Sequence, residues 1–444
     1  MRWINRRRFL EAGSLSLAGL AGFGLTGIQG HGEESAADHK ELDAWREGWL
    51  DLHHINTGRG NSTLVVMPDG TSLLIDAGSV VATLGPAVCD AKPNDSRRPG
   101  EWIARYVERQ LRAAGITKAE ERTRIDYALM THLHGDHVGD VSAACLATAP
   151  GPASGACPTS SDGTYRLTGI GDVAAQVGIG TLIDRGFPDY HRSIPANYPA
   201  AQNYVNFVRS AVKGGMRAER VWVGSSRQIA MLRGRERYSN FAVTMIAGDG
   251  AVTLNRGEES RWVVPPDQKQ DSSTGVASEN ELSIAVRLSY GKFAYFAGGD
   301  LDCGTHYGRD PWRDTESAAA RACGRVSVAV CDHHGYFDAN GPEFVRALKA
   351  RVWLLQSWHA SHPALSTLAN LYSTELYPGP RDVFSLGLHP AAELACDRFA
   401  DRLKSRQGHV VVRVEPGGDS YRVYVVEDGD ESGRVKAVFG PYAS

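Results

Sequence analysis

The sequence predicts an α/β protein in which two sheets lie between helical layers. Strand-like segments occur in both halves of the chain, and segments with helical periodicity follow each group of strands. The composition, 42% hydrophobic and 22% charged, is that of a soluble globular protein with a sizeable core. A length of 444 residues is compatible with one large α/β domain that carries an insertion.

The first 30 residues resemble an export signal and are not expected to belong to the fold. Arg6, Arg7 and Arg8 precede Phe9, and a weakly apolar run rich in glycine and alanine follows. This pattern is typical of a signal peptide read by the twin-arginine translocase. A membrane anchor is the alternative, but the run is short and glycine-rich for the roughly 20 residues that a spanning helix needs. We expect an exported protein, periplasmic or extracellular, without a transmembrane domain after signal removal.

The charge of the processed chain limits its partners. Residues 1–30 carry four arginines and one glutamate, so the net charge of −3 becomes −6 without them. Affinity for nucleic acid depends largely on neutralising phosphates, so an acidic protein is a poor general nucleic-acid binder. We expect a small-molecule or phosphodiester substrate, and extended nucleic-acid binding would require a local basic patch.

The seven cysteines contain no CxxC pair, which argues against a cysteine zinc site. An exported location would permit disulfides. Proximity in the sequence favours the pairs Cys145 with Cys157 and Cys303 with Cys323.

The elements before the insertion follow a polar linker at 31–47. The domain is expected to span 48–444, and it begins with two short strands around the turn Pro68-Asp69-Gly70. A helix that ends at Gly115 and the buried strand "IDYALM" follow.

The second half begins after a stretch of loop-like composition. That stretch indicates an insertion at about 145–275 that elaborates one face of the domain. Strands resume at "LSIAVRLS" and "GKFAYFAGG", strands and helices then alternate, and a hairpin ends the chain.

The decapeptide "THLHGDHVGD" at 131–140 concentrates three histidines and two aspartates. Extended backbone directs His132 and His134 to the same side, so both can bind one divalent ion. Gly135 lets the chain turn, so that Asp136 and His137 can address a second ion. A chance cluster and a single structural site are the alternatives, but structural zinc prefers closed Cys/His tetrahedra. The motif therefore predicts a site with room for two metals.

The motif "HLHGDH", together with the strand "LLIDAG" that ends at Asp76, resembles the HxHxDH signature of the metallo-β-lactamase superfamily. The later motifs "NELSIAVRLSYGKFAYFAGGD", "DHHG" and "SHP" follow "NTGRGNSTLVV" in an order similar to that of ComEC-type nuclease-like domains and exported phosphodiesterases. This resemblance spans most of the processed chain. It implies a four-layer αββα sandwich with an insertion after the HxHxDH motif.

The resemblance also implies two divalent metal ions, with zinc expected and manganese or iron as alternatives. His132 and His134 would bind the first ion, and Asp136 and His137 the second. Asp300, at the end of its strand in "AGGD", would bridge both ions.

Further ligands are implied by the later motifs. One of His333 and His334 would complete the first site, and the sequence leaves that choice open. His362 would complete the second site or contact the scissile group. Asp76 would orient a metal ligand through hydrogen bonds.

The expected reaction is hydrolysis by a hydroxide that bridges the two metals. Asp136 would orient this nucleophile. His359, or whichever of His333 and His334 is not a ligand, would protonate the leaving group.

Phosphoester or phosphodiester bonds are the leading substrate class, since the nearest motif matches belong to such enzymes. Residues 209–237 carry eight Arg/Lys against two Glu, which agrees with phosphate recognition. Two rivals remain open: a carboxylic ester, lactone or lactam hydrolase on the same metal core, and a non-catalytic metal-binding envelope protein. Asn56 and Asn61 stand where the family has acidic residues, and Tyr336 stands where it has serine, so the resemblance does not fix the substrate.

Overall fold

The computed structural model describes residues 40–80, 82–141, 145, 156–192, 198–266 and 279–444. The expected export signal and most of the expected linker lie outside these residues, as do parts of the expected insertion. Among the helices in the described ranges, none combines the length and apolar character needed to cross a membrane.

The described residues form seventeen strands and eight α-helices. The strands are β1 (Leu50–His54), β2 (Thr63–Val66), β3 (Ser72–Ile75), β4 (Arg124–Leu129), β5 (Gly178–Asp184), β6 (Arg217–Arg220), β7 (Phe241–Gly248), β8 (Ala251–Thr253), β9 (Ser260–Trp262), β10 (Ala285–Tyr290), β11 (Phe293–Ala297), β12 (Val328–Val330), β13 (Val352–Leu355), β14 (Asp382–Ser385), β15 (His409–Val414), β16 (Ser420–Val426) and β17 (Val435–Ala443). The helices are α1 (Pro99–Ala113), α2 (Gly135–Val138), α3 (Ile170–Gln176), α4 (Pro199–Lys213), α5 (Thr315–Cys323), α6 (Pro342–Leu348), α7 (Leu365–Tyr372) and α8 (Pro390–Cys396).

The strands form two mixed sheets. The first has the order β17-β16-β15-β1-β2-β3-β4-β5-β6, and the second has the order β14-β13-β12-β11-β10-β7-β8-β9. Strands β3 to β6 are parallel, and so are β11 to β14. Parallel neighbours end at the same edge of a sheet, so the loops after β3 and β4 are neighbours, and so are the loops after β11, β12 and β13.

Three apolar clusters define four layers. Side chains such as Leu52 and Val286 pack in one core between the two sheets. The outer face of the first sheet packs on α1, α3 and α4, with Val107 and Phe207 in that cluster. The outer face of the second sheet packs on α5 to α8 around Phe344. The predicted αββα sandwich is therefore confirmed.

The expected insertion differs from what the structure shows. Strands β5 and β6 extend the first sheet, and β7, β8 and β9 belong to the second, where β7 pairs with β10 over six residues of that strand. Residues 178–262 are therefore part of the sandwich and do not merely decorate one face. Their loop-like flanks obscured two apolar segments, "GIGTLID" and "FAVTMIAG", whose side chains are largely buried.

One of the two expected disulfides is present. Cys145 and Cys157 are bonded. The pairing of Cys303 with Cys323 is wrong: the Cys303 thiol donates a hydrogen bond to the Asp338 carbonyl at 3.2 Å, and Cys323 is buried beside the Arg287 guanidinium.

A buried ion pair joins β1 to β15 in the middle of the first sheet. Asp51 lies opposite Arg413 in the register of the two strands. The Nε of Arg413 donates to Asp51 Oδ1 at 2.9 Å, and its Nη2 donates to Asp51 Oδ2 at 2.6 Å. Burial favours the protonated carboxyl, but the Arg413 charge and its hydrogen bonds outweigh this and lower the pKa of Asp51. The pair therefore stabilises the ionised carboxylate inside the sheet.

We predict that Arg413→Met destabilises the folded chain by about 3–5 kcal/mol at pH 7, because it leaves a buried charge without its partner. The double variant Asp51→Leu/Arg413→Met should be far closer to the wild type. Since the folded-state pKa of Asp51 is lowered, its contribution is present at neutral pH and is lost as the pH falls through the carboxyl range. Urea unfolding of all three proteins at several pH values measures this, and an equally unstable double variant would contradict it.

Candidate metal centre

The candidate site lies where loops from both sheets meet. Asp76 follows β3, and the HLHGDH segment begins shortly after β4. From the second sheet, Asp300 follows β11 and His334 follows β12. The polar side chains after these strands converge within hydrogen-bonding and ion-pairing distance of one another.

The first group of possible ligands contains His132, His134 and Asp300, with one donor atom of each within 4.8 Å of the others. His132 Nε2 lies 3.0 Å from His134 Nδ1 and 3.7 Å from Asp300 Oδ2. His132 and Asp300 are buried, and His134 is partly exposed.

The second group contains Asp136, His137, Asp300 and His334. His334 Nε2 lies 2.7 Å from Asp136 Oδ2 and 3.3 Å from Asp300 Oδ2. His137 Nε2 lies 3.1 Å from Asp300 Oδ1. Asp300 thus belongs to both groups, as a bridging ligand would.

Asp76 fixes the orientation of His137. Its Oδ2 lies 2.8 Å from His137 Nδ1, which directs Nε2 of that ring toward Asp300. Both Asp76 oxygens also accept hydrogen bonds from Thr131, one from the backbone and one from the hydroxyl, at 2.8 Å each. This is the orienting contact that the resemblance implies for Asp76.

Asn61 has a similar place beside His334. Its Oδ1 lies 3.0 Å from His334 Nδ1, which leaves Nε2 for the second group. The Asn61 backbone N–H also donates to the Asp136 carbonyl at 2.8 Å. Gly78 makes this approach possible, because a Cβ atom there would collide with the same carbonyl oxygen.

A buried ion pair contacts the backbone between His132 and His134. Arg185, which follows β5, donates from Nε to Glu279 Oε2 at 2.8 Å. The same oxygen accepts the backbone N–H of Leu133, the residue between the two histidines, at 3.3 Å. The pair therefore ties the segment to both sheets.

The local electrostatics favour the protonation states that a metal requires in the first group. Burial lowers the pKa of His132 and of His134, which favours neutral imidazoles. For Asp136 and Asp300 burial acts in the opposite direction, but nearby histidines, His137 first, outweigh it and lower both carboxyl pKa values. Neutral imidazoles and ionised carboxylates are the forms that bind divalent metals.

The histidines of the second group differ. Burial lowers their pKa, but the nearby carboxylates, Asp300 first, outweigh burial and raise the pKa of His137 and of His334. Metal binding in this group would therefore displace protons from these rings.

Two further observations test the fit of a metal. His137 Nε2 and Asp300 Oδ1 are buried and face each other, yet neither is aligned for a hydrogen bond within the described part of the chain. Buried polar atoms normally have a hydrogen-bond or metal partner. We therefore expect these two atoms to share a partner such as a metal ion. The donor set of imidazole nitrogens and carboxylate oxygens suits zinc, manganese or iron. The residues therefore fit a metal centre.

The three other histidines of the expected site occupy different positions. His333 Nε2 lies 3.9 Å from Asp300, and its Nδ1 lies 2.7 Å from Asp338 Oδ1. The sequence analysis placed one of His333 and His334 with the first ion. The structure instead groups His334 with Asp136 and His137. The chain turns here because His333 and His334 both have positive φ angles.

His362 and His359 lie outside both groups as defined by the 4.8 Å separation. His362 stacks on His334 with ring centroids 5.0 Å apart, and its Nδ1 accepts the Trp358 backbone N–H at 3.4 Å. The His359 ring contacts the His362 ring, with a centroid distance of 5.5 Å. Its Nδ1 lies 2.8 Å from Ser361 Oγ.

Tyr198 is a site-proximal residue that the sequence did not single out. Its ring meets His134 edge-on at a centroid distance of 5.6 Å. The only signal was the aromatic-rich stretch "DYHRSIPANYPAAQNY", whose residues 193–197 lie outside the described part. Aromatics in such loops are more often packing residues, so the pattern could not distinguish this tyrosine.

The arginines that suggested phosphate recognition do not all overlook the site. Arg233 binds Asp126 near the start of β4, the end opposite His132. Arg237 pairs with Glu47, and Arg227 pairs with Glu258. Arg220 Nη2 also lies 3.8 Å from Asp189 Oδ2. Four of the eight basic residues therefore pair with acidic residues outside both ligand groups, and these four do not support a phosphate subsite.

Comparisons with known proteins agree with the architecture. Residues 55–155 match the family model described as the metallo-beta-lactamase superfamily, a segment that includes Asp76 and HLHGDH but ends before Asp300. No curated protein matches the chain.

Two solved structures are similar over most of their length. A protein from Parabacteroides distasonis ATCC 8503, whose name proposes a metal-dependent hydrolase, is 9% identical, with 78% of this chain and 98% of that chain covered and a TM-score of 0.32. Zn2+-bound PqqB from Methylobacterium extorquens is 12% identical, with coverages of 79% and 86% and a TM-score of 0.35. At these scores neither likeness supports an inference about this chain. The HLHGDH motif thus lies in a segment that matches the metallo-beta-lactamase superfamily, and the fold is consistent with the αββα sandwich of that superfamily.

We predict that Asp76→Asn weakens metal binding about 10- to 100-fold, because the His137 ring loses the carboxylate that orients it. Asparagine tolerates the positive φ at this position, so the backbone should persist. Chelator competition measures the affinity. Asp69→Asn is the matched control: Asp69 is also buried but lies in the β2–β3 turn, and its substitution should leave the affinity unchanged.

Proposed function

We propose that the chain is a hydrolase that depends on divalent metal ions. The observation that carries this proposal is the sharing of Asp300 between two groups of ligand atoms, one built on His132 and His134 and the other on Asp136, His137 and His334. Structural metal sites are usually closed and single, whereas two adjacent groups with a common carboxylate suit hydrolytic two-metal chemistry.

Bound ions would lower the pKa of a water molecule and polarise the oxygen of the scissile bond. Among the residues of the second group, the Asp136 side chain is 17% exposed, whereas those of His137, Asp300 and His334 are at most 2% exposed. Asp136 therefore faces the open side of the group and is placed to orient the attacking water. The same role is expected for it from the sequence.

A proton donor for the leaving group is available at the edge of the site. Asp338 holds His333 through Nδ1, so that Nε2 faces Asp300, and the ring is partly exposed. We assign His333 this role, with His359 as the second candidate because it lies further from the two groups.

Phosphoester or phosphodiester bonds are the substrate class that we propose. The support is the order of the motifs from "NTGRGNSTLVV" to "SHP", since the arginine-rich stretch offers none. Carboxylic esters, lactones and lactams are the alternative class, because the same metal core can serve either.

We predict that the metal-reconstituted protein hydrolyses bis-(p-nitrophenyl) phosphate and that His134→Ala lowers kcat/KM by at least about 100-fold, because a ligand of the first group is lost. His306→Ala is the matched control: this histidine is partly exposed and bonds to Asp310, outside both groups. Release of p-nitrophenolate measures the rate.

The outcomes separate the alternatives. Turnover of ester or lactone substrates alone would move the assignment to the second class. Two bound metals without turnover of bis-(p-nitrophenyl) phosphate, an ester or a lactone would contradict a hydrolase and favour a metal-binding envelope protein.

We also propose export through the twin-arginine translocase, supported by the arginines before Phe9. Arg6→Lys/Arg7→Lys should retain the protein in the cytoplasm, because the receptor reads arginine and lysine does not replace it. Arg2→Lys is the matched control and should be exported normally. Cell fractionation measures this, and normal export of the double variant would contradict the proposal.

A further inference from the structure

The turn after His334 places an aromatic ring against two histidines that lie beside the ligand groups. The Tyr336 ring lies 5.0 Å from that of His333 and 6.1 Å from that of His362, edge-on in both cases. Its backbone is fixed, since its N–H donates to the His333 carbonyl at 2.7 Å and its carbonyl accepts the Thr367 hydroxyl at 3.1 Å. Tyr336 is therefore held beside the site by the same turn that carries the histidines.

Phe337 extends this surface outward. Its ring packs on Tyr336 with centroids 4.5 Å apart, yet 64% of the residue is exposed. A single exposed phenylalanine is not unusual in itself, but this one is continuous with a ring that contacts the histidines of the site. No hydrogen bond of the Tyr336 hydroxyl occurs among the residues that the structure describes. The turn thus presents an apolar ring face and a hydroxyl group next to the centre.

The charges around this surface limit what it can accept. Asp338 follows Phe337 directly and bonds to His333, and Asp300 lies behind that histidine. The His333 ring beside this surface already pairs with Asp338 and faces Asp300, so it is not free to hold an anionic group there. A neutral planar group would instead stack on Phe337.

We propose that Tyr336 and Phe337 form a subsite for a neutral planar group, aromatic or unsaturated, attached to the bond that is cleaved. This inference rests on the proposed function, because it takes the two ligand groups as the place of cleavage. Tyr336 contacts His333 and His362. Tyr198 contacts His134 of the first group, so aromatic rings adjoin the centre at two places. A substrate with an alkyl substituent in place of the planar group would leave the Phe337 ring exposed.

The test compares the binding of phenylphosphonate and methylphosphonate to the metal-reconstituted full chain by calorimetry. The wild type should bind phenylphosphonate about five- to tenfold more tightly, which is the size of one aromatic contact. Phe337→Ala should reduce this preference to about twofold or less, and Phe337→Trp should retain it.

Leu394→Ala is the matched control. Leu394 is 83% exposed, and it lies on α8, a helix that carries none of the candidate ligands. Its loss should not change the preference. Equal affinity of the two ligands for the wild type, no binding of either, or a preference unchanged in Phe337→Ala would each overturn the subsite.

The same experiment distinguishes this inference from the proposed function. Binding needs no turnover, so a Phe337-dependent preference in a protein that hydrolyses nothing would contradict the hydrolase alone. Hydrolysis of p-nitrophenyl esters without any preference between the two phosphonates would contradict the subsite alone.

Discussion

The buried carboxylate of Asp300 is the constraint on which the candidate centre depends. It comes from the second sheet, whereas the HLHGDH segment comes from the first, and both ligand groups include it. An ionised carboxylate that is almost fully buried is costly unless charges compensate it. Here the histidines of both sheets, and the metals that we propose, supply that compensation. The two sheets must therefore pack in one relative position for the site to exist.

The surrounding contacts keep each ligand ring in one orientation. Asp76 holds His137, Asn61 holds His334, and the pair of Arg185 with Glu279 holds the backbone at Leu133. Each of these partners lies on a different loop, so the ligand geometry is fixed by the edge of the sandwich as a whole. Such contacts can determine metal affinity as strongly as the ligands do, because they fix both tautomer and direction.

The rim of the centre is chemically distinct from its floor. The floor consists of buried histidines and carboxylates, whereas Tyr198, Tyr336 and Phe337 bring aromatic rings to its edge. Four of the eight basic residues of 209–237 form ion pairs with acidic residues outside the centre. Selectivity at this site is therefore expected to depend on aromatic surface more than on positive charge.

The sequence by itself determined the architecture and the local part of the site. Apolar alternation and helical periodicity predicted β2 to β4, β10, β11, β15, β16 and α1, among others, and HLHGDH identified four candidate ligands because they lie within six consecutive residues. It did not reveal β1, because "LDLHH" carries Asp51 and His53, whose buried partners Arg413 and Tyr106 lie far away in the chain. It also could not choose between His333 and His334, or place the arginine-rich stretch. Only the tertiary structure decided these points, since each depends on contacts between residues separated by tens to hundreds of positions, which leave no periodic pattern in the sequence.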